Sequence, residues 1–162
     1  MRVALIVVLV LVALAILLPA GALALNRVPL TQPPGIAARL ALYLGSNVAQ
    51  TGPDAQRAEL RPILLAGERA ALLQAIAAAC RGLGWRNVRV DDTSVRAEVV
   101  TPWLRFTDDV QARLLPAPDG LLEARVRSAS RVGRGDLGAN ARHVMELRAA
   151  LARAGVLAGP RR

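Results

Sequence analysis

The residues able to do chemistry gather in one stretch, Arg125 to His143, with Asp108 and Asp109 a little upstream. Arg127 and Arg131 carry planar guanidinium forks that grip carboxylates bidentately. Asp108 or Asp109, together with Asp136, supply such carboxylates. Asn140 falls within the apolar stripe of a predicted helix, flanked by Val144 and Leu147. A buried amide must find partners. These residue types predict a polar network joining Arg127 or Arg131, Asp108 or Asp109, Asp136 and Asn140.

Catalytic arrangements of the same residues meet chemical objections. Adjacent strand residues point to opposite faces, so Asp108 and Asp109 cannot share one proton as an acid/base dyad does. Ser128 or Ser130 with His143 and Asp136 sketches a triad. No nucleophile-elbow pattern accompanies it, however, and the serines continue the core alternation of Leu122, Ala124 and Val126. The Gly133-Arg134-Gly135 loop would offer an anion a helix N-terminus. The Walker lysine is absent, and Asp136 at that terminus would repel the anion. The candidate set is therefore Asp108, Asp109, Arg127, Ser128, Ser130, Arg131, Asp136, Asn140 and His143, expected to fix the sheet end, the loop and the last helix together. No catalytic residue is assigned. One histidine and one cysteine exclude an internal disulfide and a clustered Cys or His metal site. No cofactor or metal is expected. Cys80 lies in an apolar helical stripe and reads as a small buried hydrophobe.

The elements that must position these groups follow from periodicity. Glu68 to Leu83 places Leu72, Ile76, Ala79, Cys80 and Leu83 on one helical face. Four strands are predicted: 85–90, 95–106 with a break at Pro102, 109–115 and 121–131. Val95, Ala97 and Val99 alternate with Arg96 and Glu98, and Leu122 to Ser130 with Arg125 and Arg127. Asp136 is a good N-cap for a last helix with a stripe of Val144, Leu147 and Leu151, ending near Ala154. This order predicts an α+β fold, an antiparallel sheet of about four strands with two main helices on one face. Residues 45–60 read as loop, and Ile63 to Leu65 as a short extended piece.

Val3 to Leu25 carry no charge, enough for the roughly 20 apolar residues that span a bilayer. Pro19 interrupts the segment, and Ala22-Leu23-Ala24 is an acceptable cleavage site. Residues 1–25 are thus a transmembrane signal anchor, or a signal peptide cut after Ala24. The short N-terminal flank favours N-in, C-out. Arg27 to Gly35, with three prolines, reads as a stiff spacer. Ile36 to Leu44 forms a short amphipathic helix, either packed on the domain or lying in the membrane interface with Tyr43 at headgroup level. The expected organisation is 1–25 membrane or signal helix, 26–46 linker with that helix, 47–155 one α+β domain and 156–162 tail.

The net charge is +9, and all 21 basic residues are arginine. They are interspersed with 12 acids, and aromatics for base stacking are few (Trp85, Trp103, Tyr43, Phe106). Nucleic acid is therefore not an expected partner. The membrane, through residues 3–25, is; an envelope protein or an anionic lipid is a possible second partner.

The run Arg127-Ser128-Ala129-Ser130-Arg131-Val132-Gly133-Arg134-Gly135-Asp136-Leu137-Gly138-Ala139-Asn140 resembles the signature of an uncharacterised bacterial and plastid family, the domain of unknown function 1499. Leu104-Arg105-Phe106-Thr107-Asp108-Asp109-Val110, within Thr101 to Val110, looks like its second motif. The resemblance spans about Asn47 to Ala154. It departs at Ser46-Asn47-Val48-Ala49, where many members carry Pro-Asn-Cys. It implies a fold and, since members often carry N-terminal membrane or export segments, an address, but no reaction. The expected role is a membrane-tethered extracytoplasmic module of the cell envelope, non-catalytic, in the bacterial inner membrane with its domain on the periplasmic side, or secreted there after cleavage. The alternative is an enzyme of unknown type with a polar cleft built from Asp109, Arg127, Arg131, Asp136, Asn140 and His143. Oligomeric state is not readable from the chain.

Overall fold

A computed structural model of the protein describes residues 1–101 and 105–159. The Pro102 break expected in the second strand lies outside them. The chain begins with helix α1, Arg2–Leu25, whose most apolar window has a mean hydropathy of 3.2 and no buried residue. Its 24 residues span about 36 Å, enough for a hydrocarbon core of about 30 Å. The helix continues through Pro19 instead of ending there. Proline at that point removes one backbone donor, which an apolar helix of this length accommodates.

Next come α2, Ile36–Gly45, and two three-residue strands, β1, Val48–Gln50, and β2, Ile63–Leu65. Helix α3, Arg69–Gly82, leads into β3, Arg86–Val90, β4, Ser94–Val100, β5, Thr107–Pro116, and β6, Leu122–Ser130. Helix α4, Ala139–Arg153, completes the fold. All pairings are antiparallel, in the order β1-β6-β5-β4-β3, with β2 also on β6. The two short strands share one edge of β6: β1 opposite Arg127 to Ala129, β2 opposite Leu122 to Ala124. Between them Thr51 bridges, its N–H donating to the Val126 carbonyl and its hydroxyl accepting from the Val126 N–H.

The fold is α+β, and its sheet is larger than the four strands expected. Three residues are too few to establish a period of two, so β1 was hidden in the stretch 45–60 that reads as loop. The second strand stops at Val100 instead of reaching Phe106. Beyond it the Thr101 N–H donates to the Phe106 carbonyl, and the Phe106 N–H to the Thr101 hydroxyl.

Alternation decides which sheet face is covered. Val95 and Ala97 of β4, Val110, Ala112 and Leu114 of β5, and Ala124 and Val126 of β6 are buried. Leu72, Ile76 and Cys80 of α3 and Val144, Leu147 and Leu151 of α4 lie buried with them. Both main helices thus cover one face. The other is open and carries Arg89, Arg96 and Arg113.

Arg27 to Gly35 does not stand off as a spacer. Asn26 and Val28 are buried, and the Asn26 amide donates to the Leu137 carbonyl. Tyr43 is 2% exposed, so the placement of its ring at headgroup level is overturned. Its hydroxyl accepts from Arg39 and donates to Glu59 inside the protein, and α2 packs on the domain. The N–H groups of Leu137 and Asp136 donate to the Tyr43 and Ser46 carbonyls, which laces the 131–138 loop to the end of α2.

This lacing leaves no room at Gly135, where a Cβ would overlap the Leu44 carbonyl; a Cβ at Gly52 meets nothing within 4 Å. Gly135→Ala should lower stability by about 2–3 kcal/mol in urea unfolding, as overpacking does, while Gly52→Ala changes it little. Equal midpoints for the two variants would contradict the close approach.

Candidate functional site

The register of β5 and β6 builds the site. Asp108 lies opposite Ser130, and Val110 opposite Ser128. All four share the face covered by α4, which lays Asn140 and His143 onto it from its first turns. Asn140, His143 and Ser128 are 0% exposed, and Asp108 is 1%.

Asn140 occupies the centre. Its amide nitrogen donates to the Asn47 carbonyl at 2.8 Å and to the Ser130 hydroxyl at 2.9 Å. Its amide oxygen accepts from the Ser128 hydroxyl at 2.5 Å. Because the Asn47 carbonyl only accepts, the amide orientation is fixed, and Ser128 must direct its one proton to Asn140. Ser128 Oγ also lies 3.1 Å from His143 Nδ1. With the serine proton already placed, that contact requires the Nδ1–H tautomer, donating to Ser128. Asp108 Oδ2 approaches the same nitrogen at 3.8 Å. His143 Nε2 and both Asp108 oxygens are buried without a hydrogen-bond partner of good geometry among the described residues. The Trp85 ring stands edge-on to the imidazole, centroids 6.0 Å apart.

A catalytic triad needs serine on one imidazole nitrogen and carboxylate on the other. Here both crowd Nδ1, and the serine proton points away from the base. Burial pushes His143 down to about 3, with the Arg142 charge adding to it, so the ring is neutral. Burial pushes the Asp108 carboxyl up, and the Ser130 hydroxyl pulls it only part of the way back.

Asp136 is the pin at the start of α4. Its carboxylate accepts from the N–H groups of Gly138 and Asn140, at 2.8 and 2.9 Å. Helix proper begins at Ala139, after Gly138 in a left-handed conformation, so Asp136 caps from two residues before the N-cap position. Asn47 joins the group from before β1, its amide donating to the carbonyls of Ser130 and Gly133.

The remaining candidates stand on the other side of the sheet. Arg131 grips Asp109 with two bonds of 2.9 and 2.6 Å and reaches Glu98 at 2.6 Å, all exposed. These bonds hold the Asp109 and Glu98 carboxyls below the usual range. Arg127, opposite Gln111, makes no ion pair among the described residues. It lines a shallow hollow of about 280 Å³ with Asp109, Gln111, Arg89 and Arg96. The single network expected from the sequence is therefore two clusters. Asp108, Ser128, Ser130, Asn140 and His143 meet under α4, beside Asp136, while Asp109, Arg127 and Arg131 face solvent. Strand alternation separates them, and a long arginine cannot reach through a sheet.

One buried charge cluster escaped sequence reasoning. Arg39 is 0% exposed and grips Glu59 with bonds of 2.6 and 3.2 Å. Its other donors go to the carbonyls of Gln32 and Pro33 and to the Tyr43 hydroxyl. The Glu59 bond raises the Arg39 pKa against the effect of burial. Burial pushes the Glu59 carboxyl up, but the Arg39 bonds carry it below its ordinary value. Arg39 and Tyr43, one helical turn apart, were the only signal, and nothing pointed to Glu59.

Two predictions follow from the buried titrations. His143 is neutral in the fold to about pH 3, while an unfolded imidazole takes its proton near 6.5. Its contribution is whole above about pH 6.5 and drains as pH falls towards 3, by at most about 1.4 kcal/mol per pH unit. His143→Gln should flatten that acid slope in urea unfolding, and an unchanged slope would contradict a sealed, neutral ring. Asp108 has the opposite sign. Its raised pKa favours the fold below about pH 3.8, and that advantage is lost as pH rises through the folded value. Asp108→Asn should therefore make stability fall less between low pH and pH 7 than it does in the parent, as urea unfolding at the two pH values would read. A pH dependence the same as the parent's would contradict a carboxyl whose pKa burial raises.

No curated protein matches the chain significantly. Residues 30–151 match the family described as "Protein of unknown function (DUF1499)". The match starts earlier than Asn47, where the motifs suggested, and takes in α2 with its buried Arg39 and Tyr43. It therefore follows the packing, and the chain belongs to the DUF1499 family of proteins of unknown function.

Proposed function

We propose that this protein is a membrane-tethered, extracytoplasmic module of the bacterial inner membrane that binds or braces other envelope components and catalyses no reaction. The observation that supports this reading is the shared imidazole nitrogen: Ser128 and Asp108 both approach His143 Nδ1, at 3.1 and 3.8 Å, inside a sealed core. No proton relay runs through such an arrangement. The polar cluster under α4 is a joint, and the surfaces outside it are left to do the binding. Helix α1 supplies the tether, with its amino terminus inside and the domain outside.

Two measurements test the proposal. An alkaline phosphatase fused after Gly159 should be active and a fluorescent protein at the same place dark; the reverse pattern would put the domain in the cytoplasm. Ser128→Ala should cost about 1–3 kcal/mol, because it strands Asn140 Oδ1 and His143 Nδ1. A variant as stable as the parent would contradict the joint and favour an enzyme.

A further inference from the structure

Beyond α2, the large apolar side chains exposed among the described residues are Val90, Phe106 and Val132. Two of the three sit together. The Arg131 N–H donates to the Thr107 carbonyl one step beyond the Asp108–Ser130 pair, so Phe106 and Val132 each lie one residue past that bond, at the same end of β5 and β6. They are 43% and 61% exposed. Leu44, 54% exposed at the end of α2, belongs to the same end, because its carbonyl abuts Gly135.

The same end receives α1. Leu23, Asn26 and Val28 are buried where the helix meets the domain, with Asn26 bonded to Leu137 and Val28 against Gly138. A short, packed junction holds these loops close to whatever surface α1 enters. Arg27, Arg105 and Arg134 belong to the same segments, next to Val28, Phe106 and Gly135, all exposed and without an ion pair among the described residues. Arg131 and Arg39, by contrast, are spent on carboxylates. Apolar tips beside unpaired cations match the layering of an anionic bilayer, acyl boundary below and phosphate above.

We propose that this end of the domain docks on the bilayer that holds α1, with Leu44, Phe106 and Val132 in the acyl boundary and Arg27, Arg105 and Arg134 on the phosphates of anionic lipids. The inference rests on the reading of α1 as a membrane tether. The domain then has a fixed orientation, its far end, with the β3–β4 turn and Val90, pointing away from the membrane.

The test uses the full chain in phosphatidylcholine–phosphatidylglycerol vesicles. Cys80 is buried and stays silent to labelling, so a spin label is placed at one site at a time: Phe106→Cys, Val132→Cys, Val90→Cys or Val10→Cys. At 106 and 132, oxygen accessibility should exceed that at 90 several-fold, and accessibility to a water-soluble nickel chelate should be several-fold lower. Values at 106 and 132 equal to those at 90, with the Val10 label buried in lipid, would overturn the docking and leave the tether standing. A Val10 label open to water would overturn both. Combining Arg27→Gln, Arg105→Gln and Arg134→Gln should raise the chelate accessibility at 106 several-fold; no change would refute the phosphate contacts.

Discussion

The carboxamide of Asn140 is the interaction on which the rest depends. It is buried, and its oxygen and both its N–H groups are engaged by Ser128, Ser130 and the Asn47 carbonyl. Helix α4, the long strand β6 and the chain entering β1 are thereby held at one point. An amide in a low-dielectric interior is costly unless satisfied, and its donors and acceptor are not interchangeable. The arrangement therefore admits one rotation of α4 over the sheet. It also sets the chemistry of its neighbours. By claiming the Ser128 proton, Asn140 fixes the His143 tautomer and removes the serine from any role as an activated nucleophile.

A second anchor, Arg39 on Glu59, does for the N-terminal part what Asn140 does for α4. Taking two charges out of water offsets most of their attraction, so the pair is better regarded as a positioning device than as a source of stability. It seats α2, and α2 in turn backs the 131–138 loop through Tyr43, Leu44 and Ser46. The two polar anchors, a packed Gly135 and the Asp136 cap make the region between α1 and α4 a rigid connection. A domain packed in this way on the residues that follow α1 is held in a defined orientation to that helix.

Much of the architecture was legible because it is periodic. The alternation in β4, β5 and β6 and the stripes of α3 and α4 announce which side chains are covered, and the family could be identified from the Arg127–Asn140 run. The opposite orientations of Asp108 and Asp109 followed from the same alternation. What the alternation also implied, and the single-network expectation set aside, is that Arg127 and Arg131 share the solvent side with Asp109. The strands β1 and β2 were hidden by brevity: three residues owe their conformation to the edge of β6, not to their own pattern. Arg39 and Glu59 were hidden because a pair twenty positions apart, one member in a turn-rich segment, leaves no period to detect. The residues nearest α1 were read as a spacer because their prolines describe local stiffness, while the burial of Asn26 and Val28 depends on a loop more than a hundred positions away.

The Asn140 joint requires the space under α4 to be closed to water. His143 is the only histidine in the chain, so its ring can be followed without ambiguity by nitrogen-detected magnetic resonance across pH. A sealed joint predicts an imidazole that keeps its Nδ1–H form from neutrality down to the onset of acid unfolding, its titration displaced to about 3. An imidazole that protonates near 6.5 while the protein remains folded would show solvent at the Asn140 cluster and contradict the central claim.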